Sequence, residues 1–183
     1  MKSQKSKSRF TAKVQTPIED GTDHSWSFIV IPKSVSDTLP RRGRTTIEGT
    51  INGHDFQATL DPDGQLGHWL KIDEALKEEA DLKVGIDITL EVSPVAEEPD
   101  PEIPLDLKAA LDQSAKGRKT WEETTNLARL DWIHWIVSAK QAKTRTKRIA
   151  DACDMLSNGK RRVCCFDPSG YYSKAFRLPK SLD

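Results

Sequence analysis

The chain has 183 residues, and its 28 Lys plus Arg balance 28 Asp plus Glu, for a formal net charge of zero. At 31% charged and 36% hydrophobic it is polar for a globular protein, yet five Trp supply bulk for a packed core. No apolar run approaches the roughly 18 residues of a membrane span, and three cysteines (Cys153, Cys164, Cys165) are too few for a disulfide framework.

The first eight residues read as a disordered basic tail. Met1 to Arg9 is basic but no apolar stretch follows, so no secretory signal is read, and a cytoplasmic location is expected. Period-two alternation then begins. Phe10, Ala12 and Val14 share one face of a first strand; Trp26, Phe28 and Val30 share one face of a second, with Ile29 and Ile31 on the other. A short helical turn is expected over Ser34 to Leu39. Ile47 and Ile51 face together on a third strand, and Asn52-Gly53 makes a two-residue hairpin turn because both residues tolerate positive φ. Phe56, Ala58 and Leu60 continue as the returning strand, Asp61-Pro62-Asp63-Gly64 turns again, and His68, Leu70 and Ile72 alternate next. Asp73 caps a short helix through Ala80, and Ile86, Ile88, Leu90 and Val92 form a final strand. Six strands in residues 9–92 suggest a small closed barrel, which also removes exposed edges.

Residues 93–104 read as a semi-stiff linker. Pro94, Pro99, Pro101 and Pro104 favour extended backbone, and Glu97, Glu98, Asp100 and Glu102 repel one another. The charge divides here: residues 1–100 sum to −6 and residues 101–183 to +6. The helical period follows over residues 105–160. Pro104 suits a helix start, with Leu107, Ala110 and Leu111 as a stripe before Gly117. Thr120 and Glu123 have capping-box spacing for a helix from Trp121. Trp132, Trp135, Ile136 and Ala139 line a wide apolar face of a buried helix, with His134 on its polar side. Thr144 is the expected cap of a last helix carrying Ile149, Ala152, Cys153 and Leu156, which stops at Gly159. Residues 161–183 read as an irregular basic tail.

Two stretches resemble known families. Arg42 to Leu60, RGRTTIEGTINGHDFQATL, with GHWLKIDEALKEEA and VGIDITLEV after it, resembles a small domain of unknown function. Arg44, Asn52, Gly53, His54 and His68 lie in these motifs. The family usually has Gly-Asp before its last strand, whereas here Gly85 precedes Ile86, with Asp87 one place later. This resemblance implies a double-split β-barrel, the class that contains AbrB-like transcription factors. The second half resembles the bacteriocin-protection, YdeI or OmpD-associated family, through Pro104-Leu105-Asp106-Leu107 with Ala110-Leu111, Trp135-Ile136 with Ala139-Lys140, and Thr144-Arg145 with Arg148-Ile149. The expected fold is therefore α+β: a small closed six-stranded β-barrel of the double-split, AbrB-like class, followed by a small α-helical domain.

Candidate chemistry is sparse. His54 and His68 come from neighbouring strands, with Asp55 nearby, but no His-x-His, His-x3-His or Cys-x2-Cys spacing supplies the three or four ligands a metal needs. No phosphate loop, nucleophile elbow or Ser-His-Asp set stands out. Asp61 and Asp63 are turn formers first. Cys164 and Cys165, as strand neighbours, point apart. No catalytic residue, metal or cofactor is expected. Trp121, Trp132 and Trp135 read as core before ligand platform. Arg145 lies near the middle of the last helix's apolar stripe, so it is either a clamp onto a carboxylate or a Trp face, or part of an anion site with Thr144 at the helix N-terminus. Lys140, Lys143 and Arg148 flank it. Three functions follow in order. The first is a non-catalytic binding or stress-protection protein, whose basic half meets a protein or anionic partner, a second copy included. The second is a DNA-binding regulator of the AbrB-like class, with nucleic-acid binding expected to be weak and non-specific. The third is an enzyme or small-ligand binder using the barrel cavity.

Overall fold

A computed structural model describes residues 6–18 and 25–182 of the chain. The chain divides into two units: Met1–Glu97 with Ser169–Asp183, and Glu98–Pro168. The tail expected over residues 1–8 lies outside the described residues as far as residue 5, and Ser8 already opens the first strand.

The first unit contains strands β1 (Ser8–Lys13), β2 (Ser27–Val30), β3 (Thr45–Ile51), β4 (His54–Pro62), β5 (His68–Ile72) and β6 (Asp87–Pro94). Two short helices, α1 (Lys33–Ser36) and α2 (Glu74–Glu79), interrupt them. Local chemistry explains the turns. Asn52 and Gly53 take φ of 48° and 81° between Ile51 and His54, which pair across the hairpin. Asp73 caps α2 by accepting the Leu76 N–H at 2.9 Å. Asp63 Oδ1 accepts from the Gln65 and Gly67 N–H groups, which shapes the β4–β5 loop. The alternation sorts the faces: Ile29, Ile47, Ile51, Leu70, Ile72 and Leu90 enter one apolar core. Phe28, on the other face of β2, and Trp26 just before it cluster with Trp69, at 6.1 and 6.2 Å between ring centroids.

The closed barrel is not formed. All ladders are antiparallel, and the six strands run in the order β1-β6-β3-β4-β5-β2, a sheet curved into an open half-barrel with β1 and β2 as its edges. Between the chain after β1 and β2 there is no ladder among the described residues, but an isolated bridge, Gln15↔Phe28. The reason lies in the next three residues. Pro17 has no N–H to give. Thr16 and Ile18 spend their backbone groups on the C-terminal segment instead: Ile18 N–H donates to Lys180 O at 2.7 Å, and Leu182 N–H donates to Thr16 O at 3.0 Å. The α+β class holds; the closed, double-split AbrB-like barrel does not.

The second unit contains α3 (Leu105–Asp112), α4 (Ala115–Glu123), α5 (Asn126–Val137) and α6 (Ala142–Ser157) around a core that includes Leu107, Trp121, Trp132, Ile136, Ile149 and Leu156. Its breaks differ from the expected ones. Ser114 caps α4 by accepting from the Gly117 N–H, so Gly117 lies inside a helix rather than ending one. It does so because α6 comes close: a Cβ at Gly117 would stand 2.7 Å from Ser114 Oγ and 3.2 Å from Ser157 Oγ. Thr120 is not a cap; its hydroxyl donates to Lys116 O. Thr125 caps α5, accepting from the Ala128 N–H. Trp121 and Trp132 are core side chains, the latter fully buried and edge-on to Trp135 at 6.2 Å.

Candidate functional site

The corner between α5 and α6 gathers the candidate cations. Ser138 ends α5, with its hydroxyl donating to Trp135 O at 2.9 Å. Four residues later α6 begins at Ala142, two positions before Thr144, so Thr144 sits in the first turn and is not its cap. The N-cap position is held by extended Gln141, and no side chain caps the helix. The unused first-turn N–H groups are donors, and the helix dipole places partial positive charge beside them.

The two arginines of this corner are engaged within the unit. Arg145 makes a fork onto Asp106 at the start of α3, Nε donating to Oδ2 at 2.7 Å and Nη2 to Oδ1 at 3.1 Å. The hydrogen bond from Arg145 holds the Asp106 carboxyl below its ordinary range, and Asp106 raises the Arg145 guanidinium in turn. Arg148 reaches back to α5: Nη1 donates to Trp135 O at 2.5 Å and to Ser138 Oγ at 3.1 Å, with the guanidinium 5.4 Å from the Trp135 ring centroid. Lys147 pairs with Asp151 at 2.6 Å, as their i,i+4 spacing suggests. Lys140 and Lys143 are exposed and have no carboxylate partner among the described residues. Two ammonium groups therefore flank a helix start with free backbone donors, an arrangement suited to a carboxylate or phosphate.

The sheet-unit candidates are not brought together. Arg44 Nε donates to Asp61 Oδ1 at 2.7 Å, which pins β4 and engages the Asp61 carboxylate. Asn52 Oδ1 accepts the Thr89 N–H, and Gly53 turns the hairpin. His54 is exposed at one end of β4, while His68 is fully buried opposite Pro62 at the other. Eight residues separate them along the strand, about 26 Å at the usual rise per residue. Burial pushes the His68 imidazole down, and its Nε2 pairs with Gly43 O at 3.0 Å. No cluster of three or more His, Cys, Asp or Glu residues could hold a metal ion among the described residues. His134, expected on a solvated face, is 4% exposed and meets Phe166 edge-on at 5.5 Å. Ile29, Ile47, Ile51 and Leu70 of the sheet are at most 1% exposed, packed in the core of this unit.

A feature that sequence reasoning missed is an open cavity of about 320 Å³ in the helical unit, lined by Trp121, Lys108, Arg118, Arg129 and the acids Asp100, Asp112 and Glu122. Its charges answer one another: Arg129 to Asp100 at 2.8 Å, Lys108 to Asp112 at 3.0 Å, and Arg118 to both Asp112 and Glu122. The sequence signal for it is limited to the i,i+4 spacings of Lys108–Asp112 and Arg118–Glu122, since Asp100 lies in the stretch that reads as a linker. No helix among the described residues is long and apolar enough to cross a membrane.

Comparison with known families agrees with the division into units. Residues 10–92 match the family model described as a domain of unknown function, DUF1905, and residues 100–159 match the one described as bacteriocin-protection, YdeI or OmpD-associated. No curated protein matches the chain.

Proposed function

We propose that the protein is a non-catalytic binding protein whose helical unit presents the start of α6 to an acidic protein partner, in a bacteriocin-protection-like role. One observation carries this reading: Lys140 and Lys143 are left exposed beside an uncapped 16-residue helix, while Arg145 and Arg148 next to them are held internally. The match of residues 100–159 to the bacteriocin-protection family model supports the class of role.

Nucleic acid is the second reading, and the same geometry weakens it. Among the eight cations of residues 140–162, Arg145, Lys147, Arg148 and Arg161 are bonded to groups of their own unit. Lys140, Lys143, Lys160 and Arg162 are left, so a duplex held by this stretch should bind with a log–log salt slope no steeper than about −3.6, at roughly 0.9 per phosphate. Fluorescence anisotropy with a labelled poly-glutamate peptide and a labelled duplex, across a salt series, tests the choice. The peptide should bind, and the K140E/K143E variant should bind it at least tenfold more weakly. Tight binding of one duplex sequence, with no affinity for the peptide, would replace this reading with that of a DNA-binding regulator.

A further inference from the structure

We infer that Cys164 and Cys165 form a dithiol chelating site for a trivalent metalloid bearing one organic substituent. In a regular strand the two side chains would point apart. Here the backbone is in a turn, Cys165 has a φ of 59°, and the two Sγ atoms stand 3.1 Å apart. Both residues are exposed.

The segment holding them is anchored on both sides. Arg161 O accepts the Trp132 Nε1–H at 3.2 Å, Val163 packs against the helical core, and Phe166 meets the buried His134 edge-on. The loop therefore presents two thiols at a fixed separation, which lowers the ordering cost of a ligand that needs both.

The separation selects the chemistry. A disulfide needs about 2.05 Å between sulfurs and a Cα separation of roughly 4.4 Å or more, whereas adjacent Cα atoms are about 3.8 Å apart. Direct oxidation would therefore strain the pair. Two bonds of about 2.3 Å to one soft centre, meeting near a right angle, span about 3.3 Å, within a few tenths of the observed distance. Thiolate sulfur prefers such soft centres. A tetrahedral ion needs four ligands, and no third His, Cys, Asp or Glu joins this pair among the described residues. A monosubstituted trivalent metalloid carries its third bond already, so two sulfurs complete it.

The reaction balances without redox change. Phenylarsine oxide condenses with two thiols: two S–H bonds break, two As–S bonds form, and the arsenic oxygen leaves as water with both protons. Arsenic stays trivalent. The hydrogen bond with Cys164 holds the Cys165 thiol above its ordinary value, against the pull of Lys160, which disfavours the thiolate that peroxide would oxidise.

The test uses the full chain and phenylarsine oxide in the presence of excess 2-mercaptoethanol. Intact mass should show one adduct per chain, removed by ethanedithiol but not by the monothiol, with a change in Trp132 fluorescence. Cys164→Ser and Cys165→Ser should each weaken binding at least tenfold, and Cys153→Ser, on α6, should leave it unchanged. Absence of the adduct in the wild type, or retention of tight binding in Cys164→Ser, would overturn the inference. So would rapid formation of a Cys164–Cys165 disulfide by peroxide that phenylarsine oxide does not prevent.

Discussion

Arg145 shows how a single residue is read and what it contributes. Its place on the apolar stripe of α6 signalled that a charge there needs an answer, but the answer, Asp106, lies 39 residues earlier and has no local mark. The pair is partly solvated, with side-chain exposures of 35% and 45%, so it contributes far less than a buried ion pair. Arg145→Met should cost about 1 kcal/mol at neutral pH, read from urea melts. Because the folded-state Asp106 carboxyl is lowered below 3.8, mainly by the Arg145 hydrogen bond, the stabilisation is present above about pH 4. It is lost as pH falls through the folded value. The gap between wild type and variant should therefore close in acid; a gap that persists there would show that Arg145 acts through packing of its stem instead. His134 was misplaced for a similar reason: the ring that covers it, Phe166, comes from a segment with no period of its own.

At the scale of elements, alternation and caps were legible because they are local. The faces of β2 and β3, the Asn52-Gly53 hairpin and the Asp73 cap each depend on neighbours within a few residues. Closure of the sheet was not legible, since it turns on whether residues 16–18 pair with β2 or with residues 180–182, more than 160 positions away. The α4–α5 break was missed because two competing caps, Ser114 and Thr125, stand within a few residues of the plausible Thr120. The docking of the C-terminal segment depends on Gly64, which has a φ of 76° and lies so close to Phe176 O that an added Cβ would stand 2.1 Å away. Gly64→Ala should expel that segment, at a cost of at least the roughly 1–2 kcal/mol of a left-handed Ala. Hydrogen exchange at the Ile18 and Leu182 amides should accelerate accordingly. Unchanged protection at both would mean the segment is held elsewhere.

At the scale of the whole molecule, the charge division shrinks once the units are known. Assigned by fold, residues 98–168 carry 13 basic and 11 acidic side chains, a net of +2, and the sheet unit with residues 169–183 carries −2. The ±6 division of the linear sequence placed Lys174, Arg177 and Lys180 with the wrong partner. Long-range attraction is accordingly modest, and the case for an acidic partner rests on the local arrangement at α6 rather than on a molecular dipole. The junction is also shorter than the Pro-rich stretch. Val95 N–H still donates to Thr46 O, and Glu98 O already accepts from Asn126, which leaves exposed Ala96 and Glu97 between. A Glu-specific protease should cut there first, and the two fragments should co-elute until denaturant is added, because residues 180–182 stay paired to residues 16–18 of the first unit. Fragments that separate without denaturant would contradict the pairing.

The most direct test of the anion-binding reading is an amide NMR titration of the isotopically labelled chain with inorganic sulfate. The N–H signals of Ala142, Lys143 and Thr144 should shift together and saturate, with an affinity that falls with added chloride, and the shifts should be lost in K140E/K143E. Signals that stay still at the start of α6, or shifts equally large in the charge-reversed variant, would contradict it.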